Sequence, residues 1–209
     1  KESPTPIIDG NVSFYNESKD KPIPPSPIVS CLGKIQNVKK TITMSFKKEN
    51  SLIILIGKRK NELGGSIFYD LHNELGKNVP DPDLVEVKNQ IYGVTDCIEK
   101  DLVFACHDIS EGGVATSLCE MTFGNSIGCS VKIESKLSPE KFLFSETGGF
   151  ILETNNENIE SIQSIFNQYK LDTYIIGVTG GNKIKLNNKI NITVNYAKTS
   201  WENGLRDKL

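Results

Sequence analysis

The stretch Ser51-Leu52-Ile53-Ile54-Leu55-Ile56-Gly57 decides the fold class of this chain. An apolar run of this length, bounded by a serine and a glycine, is typical of a strand rather than of a helix. Because neighbouring side chains of a strand point to opposite sides, an uninterrupted apolar run predicts a strand that is covered on both faces. We therefore expect a buried central strand, around which the rest of the domain is arranged.

Two helices are predicted directly after this run. The first has apolar residues at every fourth position and ends at a glycine, a spacing typical of an amphipathic helix. The second follows Pro80-Asp81-Pro82-Asp83, where a Pro-Asp pair can cap the first turn. The apolar residues are Leu63, Ile67, Leu71 and Leu75 before Gly76 in the first helix, and Leu84, Val87, Ile91, Val94 and Ile98 in the second.

Further apolar patterns predict the remaining elements. Leu102–Cys106 is a candidate buried strand that continues into a glycine-containing turn and a helix through Val114, Leu118 and Met121. Together the patterns predict an α+β domain in which helices pack against one face of a mixed sheet. The other predicted elements are strands at 129–133, 150–154, 173–178, 183–186 and 190–195 and a helix with Ile159, Ile162, Phe166 and Tyr169.

The first forty residues differ in composition from the rest. Six of the nine prolines lie in the first 27 positions, which favours edge strands and turns over helix. Pro6-Ile7-Ile8 has the pattern of a short buried strand that is reached from an upstream element, and residues 28–33 also predict a strand. We place a domain boundary near residue 40, between domains 1–40 and 41–209, and we expect a further N-terminal part.

Composition excludes several classes of protein. The 209 residues are 37% hydrophobic and 24% charged, and 24 basic residues against 26 acidic ones give a net charge of −2. Disorder, a membrane-spanning helix and a polybasic nucleic-acid surface are therefore not expected. The cysteines lack paired spacing and indicate reduced, core-type thiols of a cytoplasmic protein; they are Cys31, Cys97, Cys106, Cys119 and Cys129.

One candidate binding segment is Asp9-Gly10-Asn11-Val12-Ser13. A glycine lets the backbone approach a ligand, an asparagine oxygen can bind a hard cation, and Ser13 lies on the same face as Asn11 in an extended chain. The same string is also typical of a Gly-Asn hairpin turn. Spacing alone leaves both interpretations open.

A second candidate is His107-Asp108, which is followed by the glycines of residues 110–113. An aspartate at the carboxyl end of a strand can hold Mg²⁺, while a helix N-terminus faces phosphate. The alternative is structural: Asp108 or Ser110 caps the next helix and His107 is a partly buried imidazole. Residues 62–66 could cradle a phosphate, and close packing of a helix on a strand is the alternative. Residues 144–150 could place a carboxylate near a site, and a plain loop is the alternative.

In order and content, these segments resemble the C-terminal part of the phosphoribosylformylglycinamidine synthase family, in the AIR-synthase superfamily. The resemblance covers essentially the whole chain. It rests on GNVSFYNES at 10–18, PIPPSPIVSCLGKI at 22–35, GKRKNELGGS at 57–66, CHDISEGGVATSLCEM at 106–121 and LFSETGGF at 143–150.

The resemblance implies an ATP-dependent C–N ligase of purine biosynthesis, with this chain as part of a longer one. Residues 1–40 would end the second AIR-synthase N-terminal-like domain, and 41–209 would form the C-terminal-like domain. It implies that Gly10 binds ATP, Asn11 and Asp108 bind Mg²⁺, and Ser13 binds formylglycinamide ribonucleotide. No catalytic residue is implied in this chain.

The implied partners are a glutaminase subunit, a small PurS-type subunit and the N-terminal half of the same polypeptide, with no nucleic acid and no membrane.

Gly149 and Asp9 depart from the residues common in the family. Because the implied general base and most metal carboxylates belong to the other half, the chain alone is expected to be inactive. The alternatives are another ATP-using superfamily member, such as thiamine-phosphate kinase or selenophosphate synthetase, and a non-catalytic nucleotide-binding or association module.

Overall fold

A computed structural model of the chain describes residues 6–11, 17–19, 21–23 and 28–204. The chain divides into two units, Lys1–Gln36 and Asn37–Leu209. In the first unit, strand β1 (Glu17–Ser18) pairs antiparallel with β2 (Lys21–Pro22). The division falls close to the predicted boundary, and the assignment of residues 1–40 to a separate family domain stays a prediction.

The prediction of two apolar strands in the first unit is wrong for the residues that the structure describes there. Ile7, Ile8, Ile28 and Leu32 are all more than four-fifths exposed, and none of the described parts of 6–8 and 28–33 belongs to a strand. A short apolar string becomes a strand only where a neighbouring strand completes its hydrogen bonds. Local sequence therefore could not decide whether these two segments form strands.

The second unit contains the regular structure that positions the candidate site. Short 3₁₀ turns lie at Val38–Lys40 and Asn156–Asn158. In the described part of the chain no helix is long and apolar enough to cross a membrane. The helices are α1 (Ile67–Asp70), α2 (Leu84–Glu99), α3 (Gly113–Phe123), α4 (Pro139–Phe144), α5 (Ile159–Gln168) and α6 (Val194–Asn203), and the strands are β3 (Leu52–Ile56), β4 (Ala105–Asp108), β5 (Cys129–Val131), β6 (Phe150–Thr154), β7 (Thr173–Thr179), β8 (Lys183–Leu186) and β9 (Ile190–Thr193).

These strands form one mixed sheet in the order β4-β6-β3-β7-β5-β8-β9. Neighbours are antiparallel except β5 and β8, which run parallel. The predicted α+β class and mixed sheet are confirmed. Strand β3 has two strands on one side of it and four on the other, so the apolar run that suggested the fold lies inside the sheet.

Alternate residues of β3 enter two separate hydrophobic cores. Ile53 and Leu55 pack with residues of α3, α4 and α6, whereas Ile54 and Ile56 pack with residues of α2 and α5. The prediction that helices cover one face of the sheet is therefore wrong, because they cover both. The physical reason is that a strand with apolar side chains on both faces leaves neither face to solvent.

The second core depends on close approach of α2 and α5. At Gly93 of α2, a Cβ atom would lie 2.6 Å from the ring of Phe166 on α5, so only glycine allows this separation. The predicted cap of α2 is confirmed, since the Asp83 carboxylate accepts hydrogen bonds from the backbone N–H groups of Val85 and Glu86. The buried face of α2 runs through Gln90, Gly93, Val94 and Cys97, and Leu84 and Ile91 of the predicted stripe are exposed.

Other predicted elements need correction. The helix expected through Leu63 and Leu75 is reduced to the four residues of α1, and Leu71 and Leu75 are more than 70% exposed. Strand β4 begins at Ala105, later than expected, and the sequence patterns missed α4 and α6 altogether. Spacing of four residues is compatible with a helix, but it cannot form one where the leucines have no surface to pack against.

We expect the two faces of β3 to contribute comparably to stability. Ile54→Ala and Leu55→Ala should each lower the free energy of unfolding by about 2–5 kcal/mol, because each removes buried methyl groups from a different core. Ile175→Ala on β7 is the matched control, since its side chain is about half exposed. Urea denaturation measures all three, and a near-neutral result for either β3 variant would contradict the two-core description.

Candidate functional site

Three glycine-containing segments singled out in the sequence meet at the Glu146 carboxylate. Its Oε1 accepts a hydrogen bond of 2.9 Å from the backbone N–H of Ile67, at the start of α1. It accepts another of 2.9 Å from Gly112 N–H, just before α3. A single carboxylate of the segment 144–149 therefore contacts Ile67, directly after the segment 57–66, and Gly112 of the segment 107–113. Glu146 is thus more than the plain loop residue of the alternative interpretation.

Arg59 also binds this loop, through backbone carbonyl groups of the residues that follow Glu146. Its side chain is 8% exposed, and its guanidinium donates to the carbonyl oxygens of Thr147 and Gly148. The Thr147 hydroxyl donates to Glu62 Oε2 at 2.7 Å, and the Ser145 hydroxyl donates to the Glu62 carbonyl oxygen at 3.2 Å. The loop 145–149 is thus fixed by charged groups at both ends, a role of Arg59 that no local spacing signal revealed.

The turn before α3 has a geometry that only glycine satisfies. Gly112 and Gly113 have φ angles of +74° and +66°, and a Cβ on Gly113 would lie 2.7 Å from the Leu143 carbonyl oxygen. Helix α3 begins at Gly113 without a hydrogen bond from a capping side chain. The alternative in which Asp108 or Ser110 caps this helix is therefore wrong, and the nearby acceptor is Glu146.

Asp108 ends strand β4 and points to solvent. Its side chain is 62% exposed, and its Oδ1 lies 3.1 Å from Nδ1 of His107, whose side chain is only 12% exposed. The other ring nitrogen, Nε2, lies 3.0 Å from Oε2 of Glu120 on α3. The expected partly buried imidazole is confirmed, and the Asp108 carboxylate is left accessible at the sheet edge.

Glu120 is a residue that the sequence patterns missed. Its Oε1 accepts a hydrogen bond of 3.0 Å from the Trp201 indole N–H on α6, while its Oε2 faces His107. The carboxylate thereby ties the end of β4 to α3 and α6. Glu120 stands in the middle of an apolar helical stripe, and only the contact between helices gives it a partner.

The remaining predicted ligands belong to the first unit. Gly10 and Asn11 are exposed, and the Gly10 N–H donates to Asp9 Oδ1 at 2.8 Å. Of the described residues, none other than its chain neighbours has an atom within 4 Å of the position that a Cβ on Gly10 would take. Ser13 lies outside the described residues. The roles of all four predicted site residues, Gly10, Asn11, Ser13 and Asp108, stay predictions.

The chemistry of these side chains fits Mg²⁺ as a weakly held ion. Among the described residues, no group of three His, Cys, Asp or Glu side chains could hold a metal by itself. Mg²⁺ at nucleotide sites commonly takes one or two protein oxygens and completes its shell with phosphates and water. The exposed carboxylate of Asp108 offers one such hard oxygen in the second unit, so an ion bound to it would depend on a bound phosphate.

Four of the five cysteines, all in the second unit, are poor nucleophiles at neutral pH, whereas Cys31 of the first unit is exposed, so its predicted core position is wrong. All five are free thiols, and burial raises the pKa of Cys97, Cys106 and Cys129 to about 12 and that of Cys119 to about 11. A thiol with so high a pKa stays protonated and unreactive at neutral pH. Cys106 packs beside the second core whereas His107 faces Glu120, so the two side chains lie on opposite faces of β4.

A family model described as the AIR synthase related protein, C-terminal domain, matches residues 48–187. The chain belongs to this family. The match begins just before β3 and ends after β8, so it includes six of the seven strands of the sheet, all but β9, and the junction at Glu146. The AIR synthase related C-terminal domain is therefore the part of the second unit that carries Asp108 and its surroundings.

Curated relatives extend the likeness to the rest of the chain. It is 35% identical over 99% of its length to phosphoribosylformylglycinamidine synthase subunit PurL of Methanothrix thermoacetophila, and covers 28% of that protein. It is 40% identical to the PurL subunit of Thermococcus sibiricus, over 78% of the chain and 23% of the relative. The resemblance to the C-terminal part of PurL is confirmed, and the chain spans about a quarter of the length of these relatives.

Solved structures agree on the fold. The PurL of Thermotoga maritima complexed with FGAR superposes with a TM-score of 0.66 at 15% identity, over 77% of this chain and 30% of that one. The structure of PurLQS from the same organism gives a TM-score of 0.60 at 18% identity, over 75% and 27%. At such identities the likeness establishes the shared fold of the AIR synthase related C-terminal domain.

We expect Glu146 to stabilise the junction of the three segments through the oxygen that accepts the two backbone hydrogen bonds. Glu146→Ala should lower the free energy of unfolding by about 2 kcal/mol, because two backbone N–H groups lose a charged acceptor. Glu146→Gln keeps a carbonyl oxygen and should cost less than about 1 kcal/mol. Urea denaturation measures the stability, and amide hydrogen exchange at Ile67 and Gly112 should accelerate in the alanine variant only.

Proposed function

We propose that the chain is the C-terminal portion of a phosphoribosylformylglycinamidine synthase. The whole enzyme would convert formylglycinamide ribonucleotide, ATP and glutamine-derived ammonia into formylglycinamidine ribonucleotide, ADP and phosphate in purine biosynthesis. The observation that carries this proposal is 35% identity to a PurL subunit over 99% of the chain. Identity over nearly the full length supports the same role within a longer protein.

Ligands of the related proteins support the substrate class. Structures of Thermotoga maritima PurL are described as complexes with FGAR, ADP and ATP. In the proposed reaction, ATP transfers its terminal phosphoryl group to the substrate amide oxygen and ADP leaves. Ammonia then attacks the amide carbon, phosphate departs with the oxygen, and the amidine remains. The reaction requires positioned phosphates more than a covalent intermediate on the protein.

Residues of this chain would contribute binding rather than proton transfer. The Gly10 backbone would approach ATP where open space permits it, and Ser13 would donate its hydroxyl to the substrate. Asn11 and Asp108 would each give one oxygen to Mg²⁺, which when bound offsets the charge of the phosphates. The rest of the second unit holds Asp108 in place through His107 and Glu120.

The proposed enzyme works with other polypeptides. We propose an assembly with a glutaminase subunit and a small PurS-type subunit in the cytoplasm, and the structure of PurLQS from Thermotoga maritima supports association with other subunits. Because this chain spans 28% of the Methanothrix relative, the general base and most of the ATP site would come from the remainder of the protein. We therefore propose that the chain alone is inactive.

The decisive experiment uses the complete product of the encoding gene. With ATP, Mg²⁺, formylglycinamide ribonucleotide and ammonium chloride, we expect ADP release that requires the ribonucleotide. The 209-residue chain alone should release none. ADP release that depends instead on thiamine phosphate or on selenide would favour another superfamily enzyme, and ATP binding without any turnover would favour an association module; either result contradicts the proposal.

We expect Asn11→Ala in that complete protein to lower turnover by about tenfold or more, because a metal ligand of the phosphoryl-transfer step is lost. Asn11 is exposed, so the thermal midpoint should not change. Asn167→Ala, at an exposed position of α5, is the matched control with normal activity. Unchanged turnover and Mg²⁺ dependence in Asn11→Ala would remove this residue from the metal ligands.

A further inference from the structure

The second unit contains a cavity of about 740 Å³ that the proposed reaction does not use. It lies between the segment that follows β3, the first residues of β7, and the segment that follows β5. Asp108 and Glu146 are not among its lining residues. Its size falls within the range of 300–1,000 Å³ that is common for small-molecule sites.

Positive charge dominates the rim of this cavity. Four basic side chains line it against one carboxylate, that of Glu134. The one ion pair among them, between Lys132 and Glu134 at 3.6 Å, joins side chains that are each 86% exposed, so it neutralises little of the charge. The basic lining residues are Lys58, Arg59, Lys132 and Lys136.

Arg59 makes the positive charge unusual because it is buried. Two of its nitrogens donate to backbone carbonyls, whereas Nε is buried and has no hydrogen-bond partner among the residues that the structure describes. The nearby Glu62 forms its ion pair with Lys60, at 3.8 Å. Burial lowers the pKa of Arg59 to about 10, an effect that Glu62 and Glu86 oppose, so the guanidinium remains charged at neutral pH. A buried charge without a contacting counter-charge is costly, and an anion close by would reduce that cost.

Most of the remaining wall is apolar and can hold the body of an organic molecule, with Ser135 and Thr173 as its polar members. Phe142 and Tyr174 contribute aromatic rings, and the Tyr174 hydroxyl is directed to Asp172 at 3.3 Å. Aromatic and aliphatic surfaces favour a planar apolar group over water. Inorganic phosphate would fill only a small part of this volume. The other apolar lining residues are Leu55, Ile133, Leu137, Ile175 and Ile176.

We propose that this cavity binds a phosphorylated organic molecule, whose phosphate lies among Lys58, Arg59, Lys132 and Lys136 and whose ring system packs on Phe142 and Tyr174. The site lies wholly within the second unit. None of the residues proposed for ATP, Mg²⁺ and the ribonucleotide lines it, so its occupation can be tested without turnover. Binding near Arg59 would also act on the loop 145–149, which Arg59 holds.

The test uses 1-naphthyl phosphate as the probe and amide chemical shifts of the full 209-residue chain as the readout. We expect saturable shifts at residues 58–59, 132–137 and 173–176 with a dissociation constant below about 1 mM. Inorganic phosphate and 1-naphthol should each bind at least tenfold more weakly, since the first lacks the ring system and the second lacks the phosphate. Higher salt should weaken binding, because the rim charges are screened.

A matched pair of variants locates the site. The double variant Lys132→Ala/Lys136→Ala removes two exposed charges from the rim and no buried core residue. It should weaken binding of 1-naphthyl phosphate at least tenfold. Lys183→Ala with Lys185→Ala removes two exposed charges from β8 outside the cavity and should leave it unchanged. Three results would each overturn the proposal. They are chemical-shift changes at other residues, an equal loss of affinity in both double variants, and equal affinities for 1-naphthyl phosphate and 1-naphthol.

Discussion

The burial of β3 on both faces is the constraint on which the rest of the second unit depends. Ile53 and Leu55 enter one core, and Ile54 and Ile56 enter the other. Each face needs its own layer of helices, since exposed apolar surface costs about 25 cal/mol per Å². Helices α3, α4 and α6 supply one layer and α2 and α5 the other. The end of β3 then leads directly into Arg59, so the segment that fixes the fold also sets the start of the candidate site.

At that end of the sheet, charged groups replace apolar packing as the organising interaction. The Glu146 carboxylate accepts from two backbone N–H groups, and Arg59 donates to two backbone carbonyls of the same loop. Such bonds to charged groups are stronger than neutral ones, which suits turns whose backbone has no regular partner. The result is a junction held by hydrogen bonds close to the exposed Asp108, and Arg59 also lines the basic cavity.

Sequence patterns predicted most of the strands because their signal is local. Strand β6 and strand β8 have the predicted bounds, and β3 lies within its apolar run. The patterns failed where a partner decides the outcome. The leucines at 71 and 75 have helical spacing but remain exposed, while α6 was missed although its Trp201 reaches Glu120. For the site, Asp108 was found by its position after a strand, whereas Arg59 and Glu120 act through residues distant in sequence.

By itself, the sequence determined the α+β class, the central strand and the family resemblance, because apolar periodicity and glycine-rich turns are local properties of the chain. Only the tertiary structure decided that helices cover both faces, that Glu146 joins three segments, and that Arg59 is buried beside a cavity without a contacting counter-charge. The physical reason is that burial and electrostatic pairing depend on which distant residues come together, and no single segment of sequence specifies its neighbours in space.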